Sequence, residues 1–523
     1  MRSPQPDRGP SSPLDKRLVC AVVAGLAALR FCHSGVLWVE EAYPMAAARA
    51  MLSGKTLYRD IWFDKPPLFP GFYALFNAAM GWPLRLASAL FVTFAAWAAW
   101  RAARQLWGRE CAAAGWAAVL TAFFLTFDFP AAVMALTPDL LALPFHLLAM
   151  GAIAAGQPVF AGVFCGIALG FNGKALLILL VCLLWHWREA PRVLAGFAVP
   201  VAVLAGSMAA QGSLLDHWRQ VWIWGAAYSR DTPLAHPVVE GLRRTLNWSG
   251  FHAAIVAASA CALIRERDRR WRLLGWIVIS LGSAWMGWRF FPRYFFQLLP
   301  AVALPAARGF SLAPPRWRTA LVTLLAIPLV RFLPASIQLA AESLQGLPHA
   351  SRDLALFQDS RRAALLVAAN PRLDRSALVW GYRPELYALA GLTPGTRFLD
   401  SQPLSGVLAD RHLTDSRQTF PELSRHNREV LLLSKPPMWI LDGLGPINGQ
   451  LAVFNPPTGL AAWRPLYDEL GRTATVTVYV RARSRAPLEK PRALASDGQV
   501  IWNRATNAAH PFLARIKALS PAR

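Results

Sequence analysis

The chain has 523 residues, of which 55% are hydrophobic and 16% are charged, and it carries a formal net charge of +24. This composition argues against a soluble multidomain protein and favours an integral membrane protein. The excess positive charge comes from arginines in short loops between apolar stretches and from an Arg-rich C-terminal region, so it does not indicate nucleic-acid binding.

About eleven apolar stretches lie before residue 340, and most approach the roughly 20 residues that a membrane-spanning helix needs. They cover residues 18–38, 84–100, 111–127, 135–154, 157–171, 174–187, 193–211, 248–264, 272–288, 294–312 and 317–338. No small-residue cleavage site follows the first stretch, so we expect it to remain as a membrane span and not to be removed as a signal peptide.

Basic residues in short loops indicate the orientation, because they are retained on the cytoplasmic side. With Lys16 and Arg17 inside, most of the cytoplasmic turns are basic. Their arginines are Arg101, Arg104, Arg109, Arg188, Arg192, Arg265, Arg267, Arg269, Arg270, Arg272, Arg316 and Arg318. An odd number of spans places the chain after residue 340 outside. We therefore expect a multi-pass protein of a bacterial inner membrane with a cytoplasmic N-terminus and a periplasmic C-terminal domain.

Residues 1–340 form the predicted transmembrane domain, and residues 341–484 are predicted to form a small periplasmic α/β domain. In the latter we predict helices at 350–369 and 383–390 and strands at 376–381, 438–443 and 473–482. Residues 485–523 form a basic tail rich in Arg, Pro, Ala and Ser. The predicted fold class is a polytopic α-helical membrane protein with about eleven transmembrane helices and a C-terminal soluble α/β domain.

Metal and cofactor motifs are missing from the sequence. All six cysteines lie within or next to predicted spans and none forms a CxxC pair, so we expect neither a disulfide framework nor a thiolate metal site. There is also no HExxH motif and no Gly-rich phosphate loop. We therefore expect no metal and no cofactor.

On this topology, charged residues that composition does not explain fall on the outer face. They are Glu40, Glu41, Asp60, Asp64, Lys65, Asp128, Asp139, Lys174, Arg289 and Arg293. Carboxylates can take a proton from an attacking hydroxyl or amine, while cations hold an anionic leaving group. A lipid-linked sugar phosphate supplies such an anion at the membrane boundary, and Lys65, Arg289 and Arg293 are suited to offset its charge.

The segment LWVEEAYPMAAARAMLSGKTLYRDIWFDKPPLFPGFYAL, residues 37–75, resembles the first outer loop of the GT-C membrane glycosyltransferases. The likeness is greatest to bacterial relatives of protein O-mannosyltransferases and lipid A aminoarabinose transferases. Further motifs follow in the same order as in that family. They are LTPDLLAL around Asp139, FAGVFCGIALGFNGKALLILL around Lys174, RFFPRYFFQLLPAVALPAA around Arg293, and VWGYRPELYALAGLTPGTRF at 379–398.

The resemblance implies an acidic base that activates the acceptor, a role that falls on Glu40. The family generally has an aspartate there, and the longer glutamate leaves Glu41 or Asp139 as alternatives for the base. The catalytic set is thus Glu40, Glu41 and Asp139, and the expected phosphate-binding set is Lys65, Arg289 and Arg293. The expected substrate-binding residues are Tyr43, Tyr58, Asp64, Lys174 and Tyr294.

Several assignments have a structural alternative. Glu40 and Glu41 can be solvated carboxylates at a helix end. Lys65 can be an interfacial lysine beside a Pro-Pro turn. Arg289 and Arg293 can anchor helix ends in lipid headgroups. Asp139 can cap a helix after Thr137 and Pro138, and Lys174 can close the turn at Asn172 and Gly173.

The sequence predicts a hexosyl- or pentosyltransferase that moves a sugar from a polyprenyl-phosphate donor to a glycan, lipid or protein of the envelope, by one inverting displacement and without a metal. Its expected partners are that donor, the acceptor and membrane lipid, with no nucleic acid. Two other functions stay open: a transporter or flippase of lipid-linked sugars, and a non-catalytic scaffold of envelope assembly. A transporter would tend to place its charges near the bilayer midplane.

Overall fold

Long apolar runs dominate the first two thirds of the sequence, and a helix satisfies every backbone polar group internally, so helices are the expected solution in a membrane. We describe the protein from a computed structural model. The structure describes residues 14–108, 112–347, 349, 351, 354–455 and 458–482. Cys111, Arg109 and the predicted tail at 485–523 lie outside the described residues.

Helices account for most of the described chain up to residue 344. In chain order they are α1 (Lys16–Ala28), α2 (Val39–Leu52), α3 (Leu68–Ala74), α4 (Trp82–Trp107), α5 (Ala113–Phe124), α6 (Pro130–Val133), α7 (Pro138–Ala154), α8 (Pro158–Phe171), α9 (Ala175–Trp185), α10 (Ala190–Ala210), α11 (Leu214–His217), α12 (Trp224–Arg230), α13 (Pro237–Phe251), α14 (Ala253–Arg265), α15 (Arg270–Trp285), α16 (Leu299–Leu312), α17 (Pro315–Leu324) and α18 (Ala326–Leu344). Each of the predicted apolar stretches overlaps at least one of these helices.

Three helical segments of the described chain are long and apolar enough to cross a membrane: Trp82–Trp107, Trp187–Ala210 and Pro315–Leu344. The pair α13 and α14, bent by 90°, would make a fourth if it counts as one span. Helices α5, α7, α8 and α9 are apolar but shorter. The chain is therefore a mostly helical membrane protein, and the count of about eleven spans stays a prediction.

Small residues let neighbouring helices approach closely, as is common in membrane proteins. A Cβ atom on Gly162 of α8 would overlap the backbone carbonyl of Val193 in α10, and one on Gly196 would overlap that of Val159. Gly309 of α16 faces Ala258 of α14 in the same way. These contacts bring the backbones of the helices together without a large side chain between them.

After residue 354 the chain alternates helices and strands, as the sequence predicts. The helices are α19 (Ala355–Ala368), α20 (Glu385–Leu389), α21 (Gln402–Ser405) and α22 (Pro421–Leu432). The strands are β1 (Ser376–Trp380), β2 (Thr393–Pro394), β3 (Trp439–Asp442), β4 (Tyr467–Arg472) and β5 (Thr477–Arg481). The three predicted strands correspond to β1, β3 and β5, and the two predicted helices overlap α19 and α20, whereas β2, β4, α21 and α22 were not predicted.

The five strands form one mixed sheet in the order β2-β1-β3-β5-β4. Strand β1 is parallel to β2 and β3, and β5 is antiparallel to β3 and β4. Parallel pairs place the ends of β1 and β3 at the same edge, where the chain continues into Tyr382 and Leu444. This edge brings the segment after β1 towards the outer loop that follows α2.

That outer loop, residues 53–67, docks on the C-terminal part. The Lys55 Nζ atom donates a hydrogen bond to the Pro394 carbonyl at 2.5 Å, and the Trp62 backbone N–H donates one to the Arg397 carbonyl at 2.7 Å. Gln220 binds the loop from the other side: its Oε1 accepts from the Phe63 N–H at 2.9 Å, and its Nε2 donates to the Tyr58 carbonyl at 2.8 Å. The loop is thus fixed between the membrane block and the sheet.

Candidate active site

The predicted base lies in the first turn of α2. Glu40 forms an ion pair with Arg293, 253 positions later in the chain, through its Oε1 atom. Both side chains remain partly accessible, with 21% of Glu40 and 23% of Arg293 exposed. The Arg293 guanidinium also lies 4.8 Å from the centre of the Phe291 ring. A carboxylate and a cation from distant segments therefore meet where a substrate can reach them.

Asp139 and Lys174 form a second pair of opposite charge, with 3.1 Å between the Lys174 Nζ and Asp139 Oδ1 atoms. Thr137 is the N-cap of α7 and accepts from the Leu140 N–H, so Asp139 is not the capping residue. The Lys174 ammonium stands 3.3 Å from the centre of the Tyr294 ring, a cation–π contact. The predicted residues Asp139, Lys174 and Tyr294 are thus in direct contact.

A third pair is local: the Lys65 Nζ atom lies 2.7 Å from Asp64 Oδ2, and 40% of the Lys65 side chain is exposed. Tyr58 holds the backbone of this pair through a hydrogen bond. Its hydroxyl donates to the Lys65 carbonyl at 2.8 Å, and its backbone has φ +69°, a conformation that the hydrogen bonds of the loop hold in place. Tyr58 is fully buried, which favours a structural role over the expected substrate contact.

Tyr294 is the common neighbour of the three pairs. Its phenol interacts electrostatically with Arg293, Asp139 and Lys65, and its ring contacts Lys174. The cations Lys65, Lys174 and Arg293 also act on one another, which is unfavourable unless anions separate them. The cluster therefore holds three carboxylates and three cations around one tyrosine, and an anionic group entering it would find three cations within reach.

Aromatic side chains form one wall of this cluster. Tyr43 stacks on Phe63 with 4.8 Å between ring centres, and the Tyr382 ring lies 5.7 Å from Tyr43. Burial raises the pKa of Tyr382 well above its usual value, and the negative charge of Glu40 raises it further. Tyr382 comes from the C-terminal part, so that part contributes to the site. Tyr382 lies within the sequence motif VWGYRPELY, and this motif is the feature of the sequence that indicated a contribution from the C-terminal part.

Asp400 is a second residue of the C-terminal part that sequence reasoning did not identify. Its carboxylate is buried, with the Gln402 N–H donating to Oδ1 at 2.7 Å. Burial raises the pKa of Asp400 to about 7; the charge of Asp64 also raises it, whereas Lys65 lowers it. The third ion pair therefore lies next to a carboxyl group that changes charge near neutral pH.

The Glu41 side chain contacts none of the three ion pairs of the cluster. Its two oxygens accept from the Arg85 guanidinium, with 2.9 Å between Nη1 and Oε1 and 2.5 Å between Nη2 and Oε2, and both side chains are fully buried. Arg85 also donates to the carbonyls of Met134 and Val36. Both oxygens of Glu41 are occupied and closed off from an entering acceptor, so this geometry favours a structural role over the catalytic alternative for Glu41.

Arg289, expected at the donor phosphate, also has protein partners. It forms an ion pair with Asp410 of the C-terminal part, donates to the carbonyls of Tyr228 and Asp231, and lies 3.9 Å from the Tyr228 ring centre. Only 1% of the side chain is exposed. Asp231 in turn pairs with Arg411. This geometry favours Arg289 as a clamp between the two parts of the chain over the expected phosphate contact.

Among the described residues, no three His, Cys, Asp or Glu side chains are grouped closely enough to hold a metal ion. The charges of the cluster come from ion-paired side chains, and two of the three pairs join residues that lie 35 and 253 positions apart in the sequence. Such a cluster can accept a proton at a carboxylate and stabilise a phosphate through cations.

No protein-family profile matches the chain, and no curated protein sequence is significantly similar to it. Its fold is similar to that of ArnT from Cupriavidus metallidurans in the apo state, with a TM-score of 0.54, 15% sequence identity, and coverage of 90% of this chain and 99% of that one. The oligosaccharyltransferase of Archaeoglobus fulgidus, solved with zinc and sulfate, has a TM-score of 0.47 at 15% identity, covering 86% of this chain and 71% of that one.

The mycobacterial arabinofuranosyltransferase AftD has a TM-score of 0.47 at 17% identity, covering 90% of this chain and 42% of that one. The similarity to ArnT shows a shared fold over nearly the whole of both chains.

Proposed function

We propose that this chain, which by its fold belongs to the GT-C superfamily of membrane glycosyltransferases, transfers a sugar from a polyprenyl-phosphate donor to an envelope acceptor at the periplasmic face of a bacterial inner membrane. The observation that supports this most strongly is the meeting of the pairs Glu40–Arg293, Asp64–Lys65 and Asp139–Lys174 around Tyr294. This arrangement combines proton acceptors with cations, as displacement of a phosphate requires.

Glu40 is the proposed base. In the free protein the Oε1 atom of Glu40 is occupied by the Arg293 guanidinium. A donor phosphate competes for the same guanidinium, and an Arg can bind it through two parallel N–H groups. Donor binding would therefore draw Arg293 away and leave Glu40 ready to take a proton.

The transfer itself is a single inverting displacement. The acceptor oxygen or nitrogen loses its proton to Glu40 and forms a bond to the anomeric carbon, while the bond from that carbon to the phosphate oxygen breaks. The leaving polyprenyl phosphate carries the released electron pair. Lys65 and Lys174 offset its charge together with Arg293, and Asp139 keeps Lys174 in position. Because side chains provide this compensation, we expect transfer to continue in the presence of EDTA.

A lipid tail has a suitable place beside the cluster. An apolar cavity of about 430 Å³ begins at Pro66 and Pro67, directly after Lys65, and continues between α8 and α10. Leu169, Leu204 and Trp222 are among its lining residues. A donor with its phosphate at Lys65 could therefore lay its isoprenoid chain in this cavity without leaving the apolar environment.

The test compares transfer with transport in liposomes that carry the purified full-length chain and a polyprenyl-phosphate donor with a radiolabelled sugar. With envelope extract as acceptor, we expect a labelled glycoside and released polyprenyl phosphate. In Lys65→Gln, which removes a cation of the cluster, we expect about 10-fold to 100-fold slower transfer. The matched variant Arg59→Gln removes an exposed cation of the same loop outside the cluster and should leave the rate unchanged.

Labelled donor that crosses the bilayer without forming a glycoside would support the transporter instead. A chain that neither transfers nor moves the sugar, yet restores envelope assembly in a deletion strain, would support the scaffold. Either result would overturn the proposed function.

A further inference from the structure

A second cavity lies where the outer loop, the segment after α10 and the C-terminal part meet. Its volume is about 380 Å³, and its lining includes Trp62, Asp216, Arg219, Arg397, His426 and Asn427. We call it the junction cleft. Unlike the apolar cavity, it combines two cations, an acid, an imidazole and an amide with an aromatic ring. None of these residues belongs to the three ion pairs of the cluster.

One irregular helical turn separates the two cavities. Residues Trp218–Ile223 form a π-helix, an arrangement that is rare and frequently marks functional sites. Trp218 and Trp222 line the apolar cavity, whereas Arg219 and Gln220 line the junction cleft. Leu215 lines both. An amphiphilic molecule could therefore place an apolar chain on one side of this turn and a polar head on the other.

Arg397 gives the junction cleft an unmatched positive charge. Within the described part of the chain, no carboxylate lies within ion-pair distance of it, and Asp216 and Asp60 act on it only from further away. Its Nη2 donates to the Tyr58 carbonyl at 2.9 Å, while its Nε atom is buried without a hydrogen-bond partner. A cation partly removed from water without a paired anion is unfavourable, and an anionic ligand would correct this.

The cleft also lies close to the cluster. Trp62 lines it, and Asp64 of the third ion pair follows two residues later, so at most about 7 Å of chain separates their backbones. Phe398, whose ring centre is 6.1 Å from that of Trp62, is buried with it, and the Arg397 guanidinium lies 6.0 Å from the Trp62 ring centre and 5.9 Å from that of Phe398. The accessible groups of the cleft are therefore the polar ones: Asp216, Arg219, Arg397 and His426 keep partly exposed side chains, which suit the hydroxyl-bearing edge of a sugar ring.

We infer that the junction cleft binds an anionic saccharide, and that this saccharide is the polar head of the acceptor whose hydroxyl reaches Glu40. The inference rests on the proposed function for the identity of the ligand as acceptor, but the binding itself does not require catalysis. Arg219 and Arg397 would bind the phosphate or carboxylate of the saccharide, and His426 would hydrogen-bond to its hydroxyls.

Saturation-transfer NMR on the full-length chain in nanodiscs tests the inference with glucose 6-phosphate as the probe. We expect saturation transfer to the sugar protons, weaker transfer with glucose, and an affinity for glucose 6-phosphate about 10-fold lower in Arg397→Gln and in His426→Ala. His426→Ala alters a partly exposed side chain, so it keeps the test valid if Arg397→Gln fails to fold. The matched control is Arg425→Gln, on the same helix but outside the cleft.

The Glu40→Gln variant should bind the probe like the wild type, so failure of the catalytic proposal and failure of this one give different results. A second probe, a sugar phosphate on a lipid anchor in the nanodisc, distinguishes a membrane-held acceptor, which gains affinity from the anchor, from a soluble one. The inference is overturned if glucose 6-phosphate does not bind, if the cleft variants bind it as well as Arg425→Gln does, or if inorganic phosphate displaces it at equal concentration, which would indicate an adventitious ion only.

Discussion

Glu40 and Glu41 are adjacent in the sequence, yet they belong to different regions of the molecule. Glu41 and Arg85 form a fully buried pair inside the helical block, whereas Glu40 and Arg293 form a pair of which about a fifth is exposed. A glutamate–arginine ion pair therefore occurs twice, once buried (the closed region) and once partly accessible to solvent (the open region). A buried pair cannot exchange its partners without a large desolvation cost, while an accessible one can release its arginine to an incoming phosphate.

The comparison extends to the arginines. Arg85 and Arg289 each bind a carboxylate together with backbone carbonyls and are almost completely buried. Arg293 and Lys65 retain accessible surface beside their carboxylates. In this chain, accessibility and not residue type separates the charges that hold the fold from those that can serve chemistry. The predictions below test this separation.

The largest expected effect is in the closed region. Glu41→Gln leaves the Arg85 guanidinium buried without its anion, which we expect to lower the free energy of unfolding by about 3–5 kcal/mol. Thermal unfolding in detergent measures the change. Glu40→Gln is the matched control on the same helical turn and should unfold near the wild-type temperature. Equal unfolding temperatures for the two variants would remove the distinction between the regions.

The next largest effect is the pH dependence of stability that Asp400 causes. In the folded protein the pKa of Asp400 is about 7, above the usual value for an aspartate, so the folded state holds the carboxyl proton more tightly than the unfolded state does. The stability that this proton provides is fully present below about pH 4. That contribution, at most about 4 kcal/mol, is lost as the pH rises through 7. Asp400→Asn should flatten the pH dependence of the unfolding temperature between pH 4 and 7. An unchanged profile in that variant would show that Asp400 titrates normally.

The clamp between the two parts of the chain should respond less strongly. In Asp410→Asn, Arg289 loses its anion but keeps the carbonyls of Tyr228 and Asp231, so we expect a loss of about 2 kcal/mol in unfolding free energy. Asp415→Asn is the control, since Asp415 is 43% exposed. Limited proteolysis should release the C-terminal part faster in the first variant only. Equal rates for both variants would argue against a clamp.

The smallest effect concerns Tyr294. Replacing it with Leu removes the ring under the Lys174 ammonium, and we expect the KM for the donor to rise about 10-fold with the unfolding temperature preserved. Tyr294→Phe keeps the ring and should recover most of the affinity. Steady-state transfer at varied donor concentration measures both. If the KM for the donor rose as much in Tyr294→Phe as in Tyr294→Leu, the hydroxyl and not the ring would be the important group.

Much of the helical architecture could be predicted from the sequence, because a helix in a membrane needs only a sufficiently long apolar run. The order of the outer-loop motifs also brought Glu40, Asp139, Lys174 and Arg293 into one hypothesis. Their pairing could not be predicted. Arg293 lies 253 positions from Glu40, and nothing local selects that partner over Glu41.

The missed residues have a shared cause. Arg85 follows Trp82 and Pro83 at the start of α4 and looks like an interfacial arginine, yet its partner lies 44 positions earlier. Asp400 is an ordinary loop aspartate until burial raises its pKa. Asp410 has no distinguishing pattern at all. Each acquires its role through packing between segments that are remote in the sequence, which composition and periodicity do not describe.

The most direct test of the catalytic assignment is the rate of a single turnover in Glu40→Gln, with preloaded donor and saturating acceptor. If Glu40 takes the acceptor proton, the rate should fall by about 100-fold to 10,000-fold. The unfolding temperature should stay close to that of the wild type, and donor affinity should be equal or higher, because Arg293 no longer pairs with a carboxylate at position 40. A variant that transfers the sugar within threefold of the wild-type rate would contradict the assignment of Glu40 as the base.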